Sequence, residues 1–397
     1  MADLTFGQRL RNHRERAGKT RAVLGGLVGK SEEWVKAIES GRLLTPRLPM
    51  LLRLAEVLGL DDLADLTGVQ SVPVASITKA GHDGTPAIAD AMQRTARVAD
   101  HPPTPDDITI RVSRAWKLWH HSYEERTALA ALLPDLITDT RRAARAADPG
   151  QRRPMHVALA NVYHLAQLFL AFQPVEALVW LSADRAAAAA DDADDPLAIA
   201  RAAWYYAHVY RADAQPDAAE AVALDALALL DPETNDEQRT HWGQLQLAVA
   251  LAHAKAGREG LAWRHWDLAS DAARALGAGY VHPVLMFGTG AVDAYGVTIA
   301  TDLVRPGDAI RRSEAVDSAM LPSRTRRAFY LLETARAHRL RREYASVAYL
   351  LRHAVRESHD TVKHSIFARA AVLDLLEHRG PIREDARELA LAIGLLR

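Results

Sequence analysis

Residues 20–42 read TRAVLGGLVGKSEEWVKAIESGR, and this stretch decides the fold of the N-terminal region. Thr20 and Ser31 are of the residue types that cap helix N-termini. Gly29 and Gly41 suit the left-handed position that follows a helix C-terminus. The stretch therefore predicts two short helices joined by a tight turn.

Helical patterns lie on both sides of this stretch. Residues 6–17 and 49–58 place apolar side chains at helical spacing, and 61–66 add a further turn. Four or five short helices with a tight turn between the second and the third form the helix-turn-helix layout. We assign residues 1–67 to this domain.

The remainder of the chain predicts helices almost throughout. Residues 68–86 are rich in Gly, Pro, Ser and Thr and are predicted to be a linker. Residues 87–150 are expected to form a connecting helical segment, and 151–397 to form helical hairpins that repeat at about 40 residues, which is typical of an α-solenoid. The predicted fold class is all-α. The hairpins are expected to start near residues 151, 195, 237, 282, 323 and 361.

Composition and charge limit the classes of function that the protein can have. The chain has 397 residues, 49% apolar and 25% charged, which fits a globular protein with a sizeable core. It has no cysteine, which excludes disulfides, thiolate metal sites and cysteine nucleophiles. The net charge of −1 hides an asymmetry: residues 1–60 hold eleven Lys and Arg against six acids, and 184–237 hold thirteen acids against three arginines. This asymmetry points to an N-terminal region that meets a polyanion.

The N-terminal sequence also bears on location. It lacks the pattern of a secretory signal peptide. No segment approaches the roughly 20 consecutive apolar residues of a membrane span. We expect a cytoplasmic protein with no membrane partner.

Two further segments are distinctive, FGQRLR at 6–11 and IESGR at 38–42, the second followed by Pro46. With residues 20–36, they resemble the lambda-repressor-like (XRE) helix-turn-helix family. The resemblance implies a compact helical domain whose third helix enters the major groove of double-stranded DNA.

The segments AAWYYAHVYRAD at 202–213 and ETARAHRLRREY at 333–344 resemble tetratricopeptide repeats (TPR). A repressor-like domain fused to such repeats is similar to the RRNPP class of ligand-controlled regulators, here of an actinobacterial type. We expect a homodimer that reads a palindromic operator, because one such domain buries too little surface on DNA for tight binding. The resemblance also implies a peptide or small-molecule effector on the inner surface of the repeats.

The positions expected to contact DNA are Thr20, Arg21, Lys30, Ser31, Glu32, Glu33, Lys36, Arg42 and Arg47. Thr20 and Arg21 match the pair with which the family contacts phosphate, and the last two arginines are expected to clamp the backbone. Glu32 and Glu33 depart from the usual residues of a reading helix. Either they accept hydrogen bonds from cytosine N4, or they only stabilise the helix N-terminus. Trp34 is expected in the core.

An effector site is expected on the first helices of the hairpins. The candidates are polar or aromatic residues within otherwise apolar helices: Asn161, His164, Tyr206, Tyr210, Gln244, Gln246 and Arg336. Asn suits a peptide ligand because one amide both donates and accepts. The alternative is that these side chains are satisfied core residues. Arg324, Arg326 and Arg327 form a basic cluster that either receives a carboxylate or is a solvated helix start.

The sequence gives no pattern for catalysis. GGLVGKS at 25–31 resembles a phosphate-binding loop, but Leu24 stands where the first Gly is needed and no strand precedes it. Neither H-E-x-x-H nor G-x-S-x-G occurs. We expect no metal, no cofactor and no enzyme activity. The main alternative to a regulator is a protein-interaction scaffold, in which the solenoid binds a protein partner.

Overall fold

The structure is a computed structural model that describes residues 4–43, 45–46, 48–68, 74, 79–94 and 103–396. The chain divides into two compact units, Met1–Lys79 and Ala80–Arg397. The described residues form α-helices and short turns, with no β-strand among them, which confirms the all-α prediction. The finer division into 1–67, 68–86, 87–150 and 151–397 stays a prediction.

The described part of the N-terminal unit forms α1 (Phe6–Arg16), α2 (Arg21–Leu27), α3 (Glu32–Glu39), α4 (Leu48–Leu58) and α5 (Ala64–Thr67). Their core contains Leu10, Leu24, Val35, Leu54 and Leu66, all with 0% exposure. One or two large apolar residues from each helix therefore meet in the centre, and this burial stabilises helices too short to persist alone.

The predicted caps and helix ends are confirmed. Thr20 and Ser31 each accept a hydrogen bond at 3.2 Å from the backbone N–H three residues later. Gly29 and Gly41 end α2 and α3 with φ of 70° and 75°, a left-handed conformation that glycine adopts without strain.

The absence of a side chain at Gly25 allows α2 to pack closely against the residues that begin α3. A Cβ at this position would lie 2.8 Å from the carbonyl oxygen of Lys30 and 2.9 Å from that of Ser31. The neighbouring Gly26 has nothing within 4 Å of its Cβ position. Only the first of the two glycines is therefore required by packing.

The C-terminal unit begins with α6 (Thr85–Gln93), α7 (Pro105–His121), α8 (Glu125–Ala130) and α9 (Leu133–Ala146). The segment predicted as a linker thus ends in the first two residues of α6. Helices α7 and α9 pack against the first long helix of the repeats.

The repeats consist of antiparallel hairpins in which each first helix packs beside the first helix of the next hairpin. The hairpins are α10 (Pro149–Leu170) with α11 (Glu176–Ala193), α12 (Pro196–Ala212) with α13 (Pro216–Leu227), α14 (Asp236–Lys255) with α15 (Glu259–Ala275), α16 (Thr289–Asp302) with α17 (Pro306–Ala315), α18 (Arg324–Leu340) with α19 (Tyr344–Glu357), and, after the short α20 (His359–His364), α21 (Ile366–Leu376) with α22 (Pro381–Ala392). This arrangement is the predicted solenoid-like architecture. No helix of the described ranges is long and apolar enough to cross a bilayer.

Two predicted hairpin starts are wrong. The start near 282 falls at Thr289, because the His282 ring accepts hydrogen bonds from the N–H groups of Val284 and Leu285 and holds a turn. Met286, with φ of 56°, is also outside the helical conformation. The start near 361 falls within α20, and the last hairpin begins only at Ile366.

The first helices of the C-terminal unit contact its last ones. Thr325 of α18 donates to the carbonyl oxygen of Trp119 at 2.5 Å. Between α8 and α20, the backbone N–H of Thr127 donates to Asp360 at 2.8 Å, and Ser358 donates to the buried Glu125 at 2.5 Å. These contacts join residues more than 200 positions apart, and they fix α7 and α8, which precede the hairpins, to α18 and α20 near the end of the unit.

Candidate functional site

The N-terminal half of α3 presents a polar surface. Lys30, Ser31, Glu32, Glu33 and Lys36 are all exposed. On the buried side of the same helix, Val35 and Ile38 hold it to the core, and Trp34 is half-buried against it, as predicted. A rigidly held helix with a free polar face can enter a groove without rearrangement.

The acidic start of α3 is partly balanced by nearby cations. Lys36 Nζ lies 3.6 Å and Arg42 Nη2 lies 3.9 Å from the carboxylate of Glu33. These side chains are more than half exposed, so the pairs are weak and break readily when a phosphate competes. Glu32 forms no ion pair among the described residues.

A buried carboxylate connects α1, α2 and α3. Glu39 accepts hydrogen bonds from Arg14 at 2.5 Å and from Arg21 at 2.7 Å, and its side chain is 2% exposed. The hydrogen bond to Glu39 raises the pKa of Arg14. Arg21, predicted to contact phosphate, therefore also fixes the position of α2 relative to α3, while a third of its side chain stays exposed.

The remaining predicted DNA contacts lie at the edges of this surface. Thr20 is exposed as well as capping α2. Arg42 is exposed directly after α3. Arg47 lies outside the described residues. The assignment of all nine positions to DNA contact stays a prediction.

Two of the predicted effector residues lie in a cluster on the first helices of the hairpins, which we call the inner cluster. Asn161 accepts a hydrogen bond at 2.8 Å from Arg201, and the His164 ring stacks on Tyr205 at 4.5 Å. The inner cluster comprises Asn161, His164, Arg201, Trp204, Tyr205, His208, His241, Tyr295 and Arg326.

Of the other five predicted effector residues, four contact side chains outside the inner cluster, and Gln244 lies one turn after His241 on α14. Tyr206 and Tyr210 stack on each other at 5.0 Å and against Trp180 of α11. Gln246 accepts a hydrogen bond at 2.6 Å from His265 of α15. Gln244 is buried, with an unpartnered amide nitrogen, and Arg336 bonds Asp302 at 3.0 Å and Glu333 at 2.6 Å. The structure therefore does not bring the seven residues together.

The sequence reasoning missed Arg201. Its guanidinium donates to Asn161 and, at 3.2 Å, to Nε2 of His241. Asn161, Arg201 and His241 stand 40 residues apart, each on the first helix of its hairpin. Polar residues repeating at the hairpin period were the signal that could have identified it.

No three or more His, Asp or Glu side chains are arranged to hold a metal ion in the part of the chain that the structure describes. The histidines of the inner cluster are instead embedded as neutral rings. Burial lowers the pKa of His164 and of His208 well below its usual value, and lowers that of His241 to about 4. Neighbouring arginine charges act in the same direction.

Residues 5–66 match the model of a helix-turn-helix domain family. No curated protein and no solved structure matches the chain. The matched residues span α1 to α5, including the turn at Gly29 and the exposed face of α3. The N-terminal unit is therefore a helix-turn-helix domain, which supports a DNA-binding regulator.

Proposed function

We propose that this protein is a sequence-specific transcriptional regulator of the XRE type. The observation that carries the proposal is α3, whose exposed polar half follows the tight turn of a matched helix-turn-helix domain. In this proposal Lys36 and the acids before it face base edges, and Thr20, Arg21 and Arg42 contact phosphates.

We further propose a homodimer. One domain of this size buries too little surface on DNA for tight specific binding, whereas two domains read a two-fold operator. The C-terminal unit, as a TPR-like array, would supply the dimer contacts and bind an effector. The effector changes DNA affinity only if it binds one arrangement of the protein better than another. In this proposal the protein acts in the cytoplasm and is not an enzyme.

Selection of genomic DNA fragments by the full-length protein, repeated over a series of salt concentrations, tests the regulator. We expect enrichment of one palindromic sequence. Lys36→Ala is expected to weaken binding and, if Lys36 contacts phosphate, to reduce the salt slope by about 1. Glu32→Ala/Glu33→Ala is expected to relax the sequence preference. Glu56→Ala, an exposed carboxylate on α4, is the matched control.

The proposal of a regulator is contradicted if the protein binds DNA weakly and without sequence specificity. In that case the affinity would fall steeply with salt concentration and would be unaffected by these substitutions. In that case the scaffold alternative takes precedence. Its test is whether the Glu32→Ala/Glu33→Ala variant loses a protein partner that the Glu56→Ala variant retains.

A further inference from the structure

Arg201 is a charged side chain without a counter-charge. No carboxylate oxygen of the described residues lies within 4.0 Å of its guanidinium, which bonds only the neutral Asn161 and His241. Its Nε–H is buried and has no acceptor. Burial lowers the pKa of Arg201, and Glu237 and Asp195 oppose this effect only from a distance. Glu237 is half exposed and lies 3.3 Å from His282 instead.

A second guanidinium lies in the same cluster. Arg326 of α18 donates to the hydroxyl of Tyr295, and it also has no carboxylate within 4.0 Å among the residues described. The ring of Tyr295 lies 5.7 Å from that of Trp204 on α12, and Arg201 lies on the same helix. Two cations from different hairpins, neither with a carboxylate in ion-pair distance, thus belong to one cluster of side chains.

The side chains between these cations offer donors without acceptors. Trp204 is 1% exposed, and its indole N–H has no partner. His164 is also 1% exposed, and neither ring nitrogen has a partner. Buried polar groups without partners are rare in folded proteins, because each one costs free energy of desolvation.

Parts of the cluster remain accessible. Arg201, His208, Tyr295 and Arg326 each keep a fraction of their surface exposed, although the helices surround them. Water therefore reaches part of the cluster.

We propose that the inner cluster binds the carboxylate or phosphate group of a small anionic effector between Arg201 and Arg326. This inference rests on the proposed function, because it names the ligand class of the sensing unit. An anion supplies the missing counter-charge and accepts hydrogen bonds from the unpartnered donors. A cation is disfavoured, because two guanidiniums already occupy the site.

A paired arginine on the same helix provides the contrast. Arg211 of α12 lies 3.8 Å from the carboxylate of Asp302, which also accepts from Arg336 at 3.0 Å. This group is balanced within the protein. Arg211→Met removes a compensating charge, whereas Arg201→Met removes an uncompensated one.

The test measures Tm of the full-length protein without DNA, in inorganic phosphate and in glutarate, against sodium chloride of equal ionic strength. At about ten times the dissociation constant, an anion is expected to raise Tm by roughly 2–4 °C. Arg201→Met and Arg326→Met are each expected to weaken anion binding at least about thirtyfold. Arg258→Met, at an arginine outside the inner cluster that pairs with Asp217 at 3.0 Å and with Glu220 at 2.9 Å, is expected to retain the response.

A second readout is Tm without any anion. Arg201→Met is expected to lower it less than Arg211→Met does, because Arg201→Met removes a desolvated charge together with two hydrogen bonds to neutral groups, whereas Arg211→Met removes an ion pair with Asp302. The proposal is overturned if neither anion shifts the wild type beyond chloride, or if Arg201→Met and Arg326→Met both keep the shift. It is also overturned if Arg201→Met destabilises the anion-free protein as much as Arg211→Met does. The Tm measurements contain no DNA. The absence of an anion-dependent shift would therefore not contradict DNA binding, and the absence of a selected operator would not contradict anion binding.

Discussion

Glu39 of the N-terminal unit and Arg201 of the C-terminal unit are buried in opposite electrostatic surroundings. In the N-terminal unit, the carboxylate of Glu39 is 2% exposed and is bonded by two arginines from two helices. In the C-terminal unit, Arg201 and Arg326 meet neutral side chains and no carboxylate within ion-pair distance in the described ranges. The first arrangement is electrostatically complete, and the second is not.

This difference distinguishes a domain that is held rigid by buried ion pairs from a cluster that can accept a charged ligand. A compensated buried charge fixes three helices relative to one another, which suits a domain that docks as a preformed body. An uncompensated one costs desolvation energy in the absence of a ligand, and a ligand of opposite charge recovers that energy. Four measurements test this difference between the two buried charges and the domains that hold them.

The largest effect is expected from Glu39→Ala. This substitution removes the buried carboxylate and leaves Arg14 only the half-exposed Glu15, 3.3 Å away, so it should lower the free energy of unfolding of the N-terminal unit by about 3–5 kcal/mol. Trp34 is the one tryptophan before residue 79, so 19F NMR of the full-length protein with fluorinated tryptophan follows this unit separately. Glu33→Ala, on the exposed pair, is the control and should cost less than about 0.5 kcal/mol. Equal effects of Glu39→Ala and Glu33→Ala would show that the buried ion pairs of Glu39 stabilise the unit no more than an exposed pair does.

The next largest effect is expected from Gly25→Ala. The new Cβ meets the backbone of Lys30 and Ser31, and such overpacking costs about 1–3 kcal/mol and displaces the start of α3. Gly26→Ala is the matched control; its Cβ meets open space, and it should stabilise α2 by about 0.5–1 kcal/mol. Urea unfolding monitored at Trp34 measures both. If Gly25→Ala left the free energy of unfolding unchanged, α2 and the start of α3 would be able to move apart without cost.

The third measurement compares the units under acid. Burial lowers the pKa of His241 and of His282 to about 4 and that of His120 to about 3, so the folded C-terminal unit holds neutral rings. Their stabilisation is present above the unfolded pKa of about 6.5 and is lost as pH falls through the folded values, at up to about 1.4 kcal/mol per pH unit for each ring. The N-terminal unit has one histidine, His13.

As the pH falls from 7 to 5, the Tm of the C-terminal unit should therefore decrease before that of the N-terminal unit. His241→Gln should flatten its pH dependence, whereas His121→Gln, at an exposed position of α7, should leave it unchanged. A pH dependence that persists in full in His241→Gln would contradict a neutral buried ring at that position.

The smallest effect is expected from Ser31→Ala. It removes the cap of α3 and should cost about 1 kcal/mol. Ser31→Asp keeps an acceptor at the cap and should retain most of the stability. If DNA binding falls in both variants while stability falls only in the first, the hydroxyl of Ser31 contacts DNA in addition to capping the helix. Titration of a selected operator by fluorescence anisotropy distinguishes these outcomes.

The local features of the N-terminal unit could be predicted from sequence. Thr20, Ser31, Gly29 and Gly41 act through their own backbone and the next few residues, so their roles depend on short-range chemistry. The bonding of Arg14 to Glu39 could not be predicted, because 25 residues separate them. Val23 and Leu27 illustrate the same limit: they look like core residues of α2, but they are about half exposed.

In the C-terminal unit the sequence predicted hairpins and their approximate period, but not the inner cluster. The turn held by His282 displaced one hairpin start, because a side chain competed with helix formation. Tyr205 and Tyr206 are neighbours in sequence but point to different surroundings, His164 on one side and Trp180 on the other. Which of them joins Arg201 depends on the rotation of α12 between its neighbours.

The amino-acid sequence is enough to predict the helical class, the caps at Thr20 and Ser31, the stops at Gly29 and Gly41, and the basic N-terminal and acidic central charge. These follow from composition, periodicity and local hydrogen bonding. Which charges are compensated depends instead on the tertiary structure. That property depends on distances between helices far apart in the chain, and such distances are set by how side chains pack, which residue spacing along one helix does not specify.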